Sequence, residues 1–236
     1  MKTVAVLQPG YLPWLGFFDQ LAQSDHFVIY DDVQYDKHGW RNRNRIRTAE
    51  GWQWLTVPVL TKGKSEQLVK ETEINNQDAW AVKHQKSLEQ HYHQSPHFKT
   101  YFPIFETVYG TKWDRLIDLN LTLLQKIAEA LSIKTPISRA SEMQIEGERS
   151  ERLVKICKAL DATTYLSGDA AKDYLDESMF EREGIGIRWH GYQHPVYRQM
   201  HEPFIPYLSI VDLLFNHGKE SLNVLMSKKG ASLCKS

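Results

Sequence analysis

A Rossmann-like α/β fold, with a mainly parallel sheet and a helical insert, is what the order of apolar segments predicts, and three observations carry it. The first is the opening stretch. An apolar run (Val4, Ala5, Val6, Leu7) meets a Gly/Pro loop from Gln8 to Pro13, then a helical face of Phe17, Phe18, Leu21 and Ala22, then a second apolar run (Phe27, Val28, Ile29, Tyr30) ending in Asp31 and Asp32. Strand, loop, helix, strand is a βαβ unit. The second observation is that the same alternation returns after residue 135, and the third is helical spacing over about 76–133 between the two. Residues 1–236 thus read as one α/β domain with a helical insert or subdomain in its middle.

Taken in order, Trp52 to Leu60 alternates bulky and polar residues and predicts a strand with Pro58 at an edge. Thr61 to Ser65 (TKGKS) is a basic loop; it lacks the earlier glycine of a phosphate-binding loop. Trp80, Leu88 and Tyr92, then Phe98, Phe102, Phe105 and Tyr109, recur at helical spacing, with Pro96 where a new helix can begin. Trp113, Leu116, Ile117, Leu123, Leu124, Ile127, Ala128 and Leu131 form the most regular stripe. His84, His91, His93 and His97 lack a metal-site pattern and read as solvated or partly packed. Further on, 136–140 predicts a short strand, 148–160 a helix, 164–166 a strand entering Ser167-Gly168-Asp169, 170–180 a helix and 185–189 a strand. Ser209 is an N-cap, Asp212 falls in the first turn of its helix, and Gly218 suits the C-cap.

Composition excludes several classes. The 236 residues carry equal numbers of acidic and basic groups, which removes any global argument for nucleic acid or an anionic membrane. Arg41, Arg43, Arg45 and Arg47 form one local basic cluster. No run approaches the ~20 apolar residues of a membrane helix, and the first apolar run is too short for a signal-peptide core, so a cytoplasmic protein without membrane insertion is expected. Cys157 and Cys234 have no metal or redox spacing; Cys157 is expected as a buried thiol.

Ligands of βαβ folds sit beyond the carboxyl ends of the strands. The two polar and aromatic loops, Gln8 to Trp14 and Asp31 to Arg45, emerge there. Arg guanidinium groups take phosphate or carboxylate bidentately, Asn amides orient hydroxyls, and aromatic rings offer stacking faces. Gln8, Tyr11, Tyr35, Lys37, Trp40, Arg41, Asn42, Arg43 and Asn44 are therefore candidate ligand-binding residues for a small anionic molecule such as ATP or a nucleotide-sugar with Mg²⁺. Ser167 and Gly168 end another strand, and His194 and Tyr197 lie in a second dense stretch, so they join that set. Asp31, Asp32 and His38 are the candidate acid–base residues; no metal-ligating cluster stands out. A serine-hydrolase elbow is absent, because the glycine two residues before Ser167 is missing. Group transfer by positioning fits better than covalent catalysis.

The block QPGYLPWLGFFDQLAQSDHFVIYDDVQYDKHGWRNRNRI, with WLTVPV, TYLSG, DYLD, HPVYRQ and LSIVDLLFNHG, resembles the WbqC-like family of bacterial proteins from about Thr3 to Gly218. The resemblance implies a place in gene clusters for O-antigen, lipopolysaccharide and other surface polysaccharides, with a role such as transferring glycine or a similar aminoacyl group. It supplies no catalytic residues. The opening unit is also similar to the first βαβ of nucleotidyltransferase-type folds, although both histidines of their phosphate-contacting motif are missing from Gly10-Tyr11-Leu12-Pro13. The expected function is transfer of a glycyl or acyl group to a sugar or sugar nucleotide. A carboxylate-activating ligase and a non-catalytic nucleotide-sugar binder are the alternatives; nucleic acid is disfavoured as a partner except as a charged tRNA donor.

Overall fold

The structure, a computed structural model, describes residues 1–227. Cys234 and the tail beyond lie outside the described residues. Five strands, β1 (Thr3–Leu7), β2 (His26–Ile29), β5 (Ile137–Arg139), β6 (Thr164–Ser167) and β7 (Gly186–Trp189), form one parallel sheet in the order β5-β2-β1-β6-β7. That is the Rossmann-like arrangement. The chain builds outward from β1 to one side, then crosses back and builds outward on the other.

The apolar runs are continuous because both faces of the sheet are covered. Ala5, Phe27, Ile29 and Leu166 point into one cluster; Val4, Val6, Val28 and Tyr165 point into another. The first face is covered by α1 (Leu15–Ala22), the helices α2 (Trp80–Tyr92), α3 (Phe98–Tyr109) and α4 (Leu116–Ala130), and α7 (Ile210–His217), followed by α8 (Ser221–Met226). The second is covered by α5 (Arg149–Ala159) and α6 (Glu177–Arg182). Cys157 is buried there, where loss of hydration pushes its thiol up to about 12. Such a thiol stays protonated and inert.

Two expectations are corrected. The Asp31–Arg45 loop ends early: Arg43–Thr48 is a strand, β3, paired antiparallel with β4 (Gly51–Thr56). Its alternation is real, with Asn44 and Ile46 inward and Arg43, Arg45 and Arg47 opposite Thr56, Trp54 and Trp52 on the other face. The single helix expected over 170–180 is a 3₁₀ segment, Asp169–Asp173, and then α6. Asp176 caps α6, accepting from the Ser178 N–H at 3.1 Å, and a residue that caps one helix cannot lie inside a longer one. Among the described residues no helix is long and apolar enough to cross a membrane.

Candidate functional site

The strand order reverses between β1 and β6, so the loops leaving their carboxyl ends diverge and leave a crevice. The loop after β1 is tied down by its neighbours. The Tyr11 N–H donates to the Arg41 carbonyl (3.1 Å), the Asn44 amide to the Leu12 carbonyl (2.6 Å), and the Ile210 N–H to the Pro13 carbonyl (3.0 Å). The Asn120 amide donates to the Arg41 carbonyl from α4 (2.9 Å). A Cβ at Gly10 would come within 3.1 Å of the Trp40 carbonyl oxygen, so the close approach of the two loops favours glycine. These bonds fix Gln8 and Arg41 on one wall, with Ser167 and Gly168 on the other.

Between the walls lies a cavity of about 770 Å³, a size that suits a small molecule. Its lining includes Arg41, Arg45 and Arg149 and, among the described residues, no aspartate or glutamate. Trp14, Tyr30, Trp40, Tyr174 and Tyr207 add aromatic surface. The first turn of α5, with Arg149 and Ser150, also faces it, so the positive end of an eleven-residue helix adds to the cationic field. Burial holds the Arg41 guanidinium below its ordinary pKa, with Asp36 and Tyr35 offsetting part of the effect; burial lowers Arg45 as well. Neither takes part in an ion pair among the described residues, although Arg139 and Arg152 do. Gln8 Oε1, Arg41 Nε and Arg45 Nε are buried without a hydrogen-bond partner. Unpartnered cationic donors beside an open hollow are what an anion would satisfy.

Of the candidates from sequence, Gln8, Trp40, Arg41, Asn44, Ser167 and Gly168 line this cavity, while the others are elsewhere. Tyr11 is wholly buried, its hydroxyl bonded to His84 Nδ1 (2.8 Å) and to the Tyr109 hydroxyl (2.5 Å). His84 is accordingly a packed histidine and not a solvated one, and desolvation lowers its pKa to about 4. Asn42 spans the hairpin to the Val57 carbonyl (2.8 Å). Tyr35, Lys37 and His38 line a separate hollow of about 560 Å³ with Lys64 and Gln67, and Arg43 donates to the His38 carbonyl at 2.8 Å. His194 accepts from the Tyr207 N–H (3.0 Å), and the Tyr197 hydroxyl donates to Asp212 Oδ2 (2.9 Å); both pack inside the 190–209 segment.

The two carboxylates are anchored. Asp31 has no exposure and takes bonds from Arg139 Nε (2.8 Å), the Ser141 N–H (3.0 Å) and the Ser141 hydroxyl (2.8 Å), which fastens β2 to the turn after β5. Asp32 pairs with Arg152 of α5, whose guanidinium also lies 5.2 Å from the Tyr30 ring centre. Asp32 Oδ1 is left without a partner, beside a hollow of about 440 Å³. Besides Arg45, Trp14 and Tyr30, lining residues outside the candidate set include Arg149, Ser150, Tyr174 and Tyr207. For the first pair a signal exists: Gly147, at φ +130°, precedes a helix start, an arrangement that commonly opens an anion-binding helix N-terminus. Tyr174 and Tyr207 carry no comparable local mark.

Fold and cavity together define an α/β protein with a cationic, aromatic-lined crevice at the switch point of a parallel sheet. Residues 8–224 match the WbqC-like protein family, and the chain belongs to it. It is also 40% identical to the uncharacterized protein Rv1507c of Mycobacterium tuberculosis, over 95% of this chain and 98% of that one. No solved structure matches the chain.

Proposed function

We propose that this chain is a transferase that places a glycyl or other acyl group on a sugar or sugar nucleotide during surface-polysaccharide assembly, acting in the cytoplasm. The observation that carries the reading is the cavity at the switch point, bounded by three arginines and, among the described residues, no carboxylate. Arg41, Arg45 and Arg149 would hold phosphate or carboxylate oxygens, Gln8 and Ser167 the sugar hydroxyls, and Trp40 or Tyr174 a planar ring. An amine or hydroxyl of the sugar attacks the carbonyl of an activated donor, a thioester or a charged tRNA. The new amide or ester forms, and the thiolate or hydroxyl leaving group takes the proton. No histidine, aspartate or glutamate among the described residues lines the cavity, so positioning supplies most of the rate. Asp32, through its unpartnered oxygen, is the nearest of the three acid–base candidates to being free for proton transfer; Asp31 and His38 have less support. Among the described residues no three His, Cys, Asp or Glu side chains form a protein-only metal centre. A Mg²⁺ that arrives with a nucleotide would ride chiefly on its phosphates.

The test is incubation of the pure protein with nucleotide-sugars and glycyl or acyl donors, followed by mass spectrometry. A sugar nucleotide heavier by the glycyl or acyl group is expected; no mass-shifted sugar with any donor counts against the reading. A second reading, an ATP-dependent carboxylate-activating enzyme, is favoured by the strand order, which nucleotide-binding folds share. Pyrophosphate release from ATP with Mg²⁺ separates the two.

A further inference from the structure

We infer that the outer face of the β3–β4 hairpin is a docking platform for an acidic oligosaccharide, the chain whose sugars the transferase proposed above decorates. Trp52 and Trp54 stand on this face, Trp40 from the turn before β3 packs against them, and all three stay 38–44% exposed. Their rings form a continuous group, with 5.0 Å between the centres of Trp40 and Trp54 and 5.7 Å between those of Trp52 and Trp54. Arg43 lies 4.8 Å from the Trp54 ring centre, and Arg45 lies 5.0 Å from that of Trp52 and 5.3 Å from that of Trp40. Large apolar side chains left in water cost hydrophobic free energy, and three grouped together mark a surface that something covers.

Charge and continuity select the occupant. Neither Arg43 nor Arg45 enters an ion pair among the described residues, and both have a buried Nε with no partner. The platform therefore offers indole faces for the C–H face of a sugar ring and guanidinium donors for uronate or phosphate groups beside it. Trp40 and Arg45 also line the cavity, so a chain lying on the hairpin delivers its end to the crevice without crossing another element. Single-stranded nucleic acid also stacks on aromatics, but it needs a basic groove that follows several phosphates, and here the cationic groups are two arginines in a chain of zero net charge.

The inference rests on the transferase reading, and the experiment separates the failure of one from the failure of the other. The full chain is titrated with hexagalacturonate, neutral maltohexaose and a ten-nucleotide polyuridylate, by tryptophan fluorescence and calorimetry, and in parallel with a UDP-sugar by thermal shift. Hexagalacturonate should bind, and Trp52→Ala with Trp54→Ala should weaken it by about tenfold or more while weakening UDP-sugar binding far less, since neither side chain reaches the cavity although both touch Trp40 or Arg45, which do. Far-UV circular dichroism checks that the double variant folds; Trp52→Phe with Trp54→Phe, which keeps aromatic faces, should restore part of the affinity. Polyuridylate binding more tightly than hexagalacturonate, equal binding of maltohexaose, no glycan binding at all, or a double variant that binds as well as the natural chain would each overturn the platform. Glycan binding that survives with no UDP-sugar response would instead overturn the cavity reading.

Discussion

The β3 strand joins two polar regions whose hydrogen-bond accounting is opposite. At its far end, Arg47 is 2% exposed and donates to four carbonyls, those of Thr48 and Gly51 at 2.7 Å and of His201 and Pro203 at 3.0 Å. Its backbone N–H bonds to the Tyr92 hydroxyl (2.8 Å), which in turn donates to Asp212 Oδ1 (3.0 Å). Asp212 also accepts from Tyr197 and Gln199, both at 2.9 Å. At the near end, Arg41 has one long contact, 3.4 Å to the Gln8 carbonyl, beside the cavity; the Nε of both arginines lacks a partner among the described residues, so the difference lies in their terminal nitrogens. The same residue type serves as a strut where carbonyls surround it and as a receptor where they do not. A buried guanidinium whose terminal nitrogens are bonded to carbonyls holds the fold; one whose terminal nitrogens are left beside a cavity can take a ligand.

The contrast breaks if the Asp212 network proves dispensable. Asp212→Ala removes the acceptor of three buried donors, and each orphaned donor costs roughly 1–3 kcal/mol. We expect a loss of at least about 3 kcal/mol, read as a fall in Tm of roughly 6–12 °C for a chain of this size. UDP-sugar affinity per folded molecule should not change. A variant with unaltered Tm would show that the network is incidental.

Arg41→Met should do the reverse. It takes a desolvated, unpaired cation out of the cavity wall, so stability should hold or rise by a few tenths of a kcal/mol while anion binding weakens by about a hundredfold. Titration of a UDP-sugar at two salt concentrations measures it, the variant showing the shallower salt dependence. A variant that loses several degrees of Tm and keeps its affinity would make Arg41 a second Arg47.

How far the sequence reveals this division depends on distance along the chain. The parallel sheet is legible because each strand is a short apolar run and each crossover a helix, and strand-end loops carry Gln8, Arg41, Ser167 and Gly168 to one crevice. Asp31 misleads because its partner Arg139 is 108 residues away, on a strand that pairs with β2 only in the fold. Tyr11 misleads for the same reason: His84 and Tyr109, which consume its hydroxyl, come from the helical segment. The Arg43–Thr48 strand is masked because charged residues occupy its outer face, and only the opposing tryptophans of β4 make it a plausible strand surface. Asp212 has a sufficient local explanation as a first-turn carboxylate, which conceals its role as the buried acceptor of Tyr92, Tyr197 and Gln199.

The smallest effect is a pH test that sharpens the comparison from within the satisfied regions. His84 is buried and neutral, its pKa lowered by desolvation to about 4 from an ordinary 6.5, so its contribution is full above pH 6.5 and fades as pH falls toward 4. Asp212 is buried with its pKa raised by desolvation to about 6 from 3.8, so its ionised form is disfavoured in the fold and stability falls as pH rises from 3.8 through 6. Between pH 7 and 5.5 the first costs on the order of 1 kcal/mol and the second returns a similar amount. Burial lowers His26, His91, His194 and His217 as well, so the urea midpoint of the natural chain should fall across that interval. His84→Gln, which keeps a hydrogen-bonding group for Tyr11, removes the His84 share of that slope, so the variant should lose less stability than the natural chain as pH falls from 7 to 5.5, by up to about 1 kcal/mol. A variant whose midpoint falls as steeply as that of the natural chain would mean that His84 is open to solvent and titrates alike in both states, and the Tyr11, His84 and Tyr109 cluster would then not belong with the satisfied core.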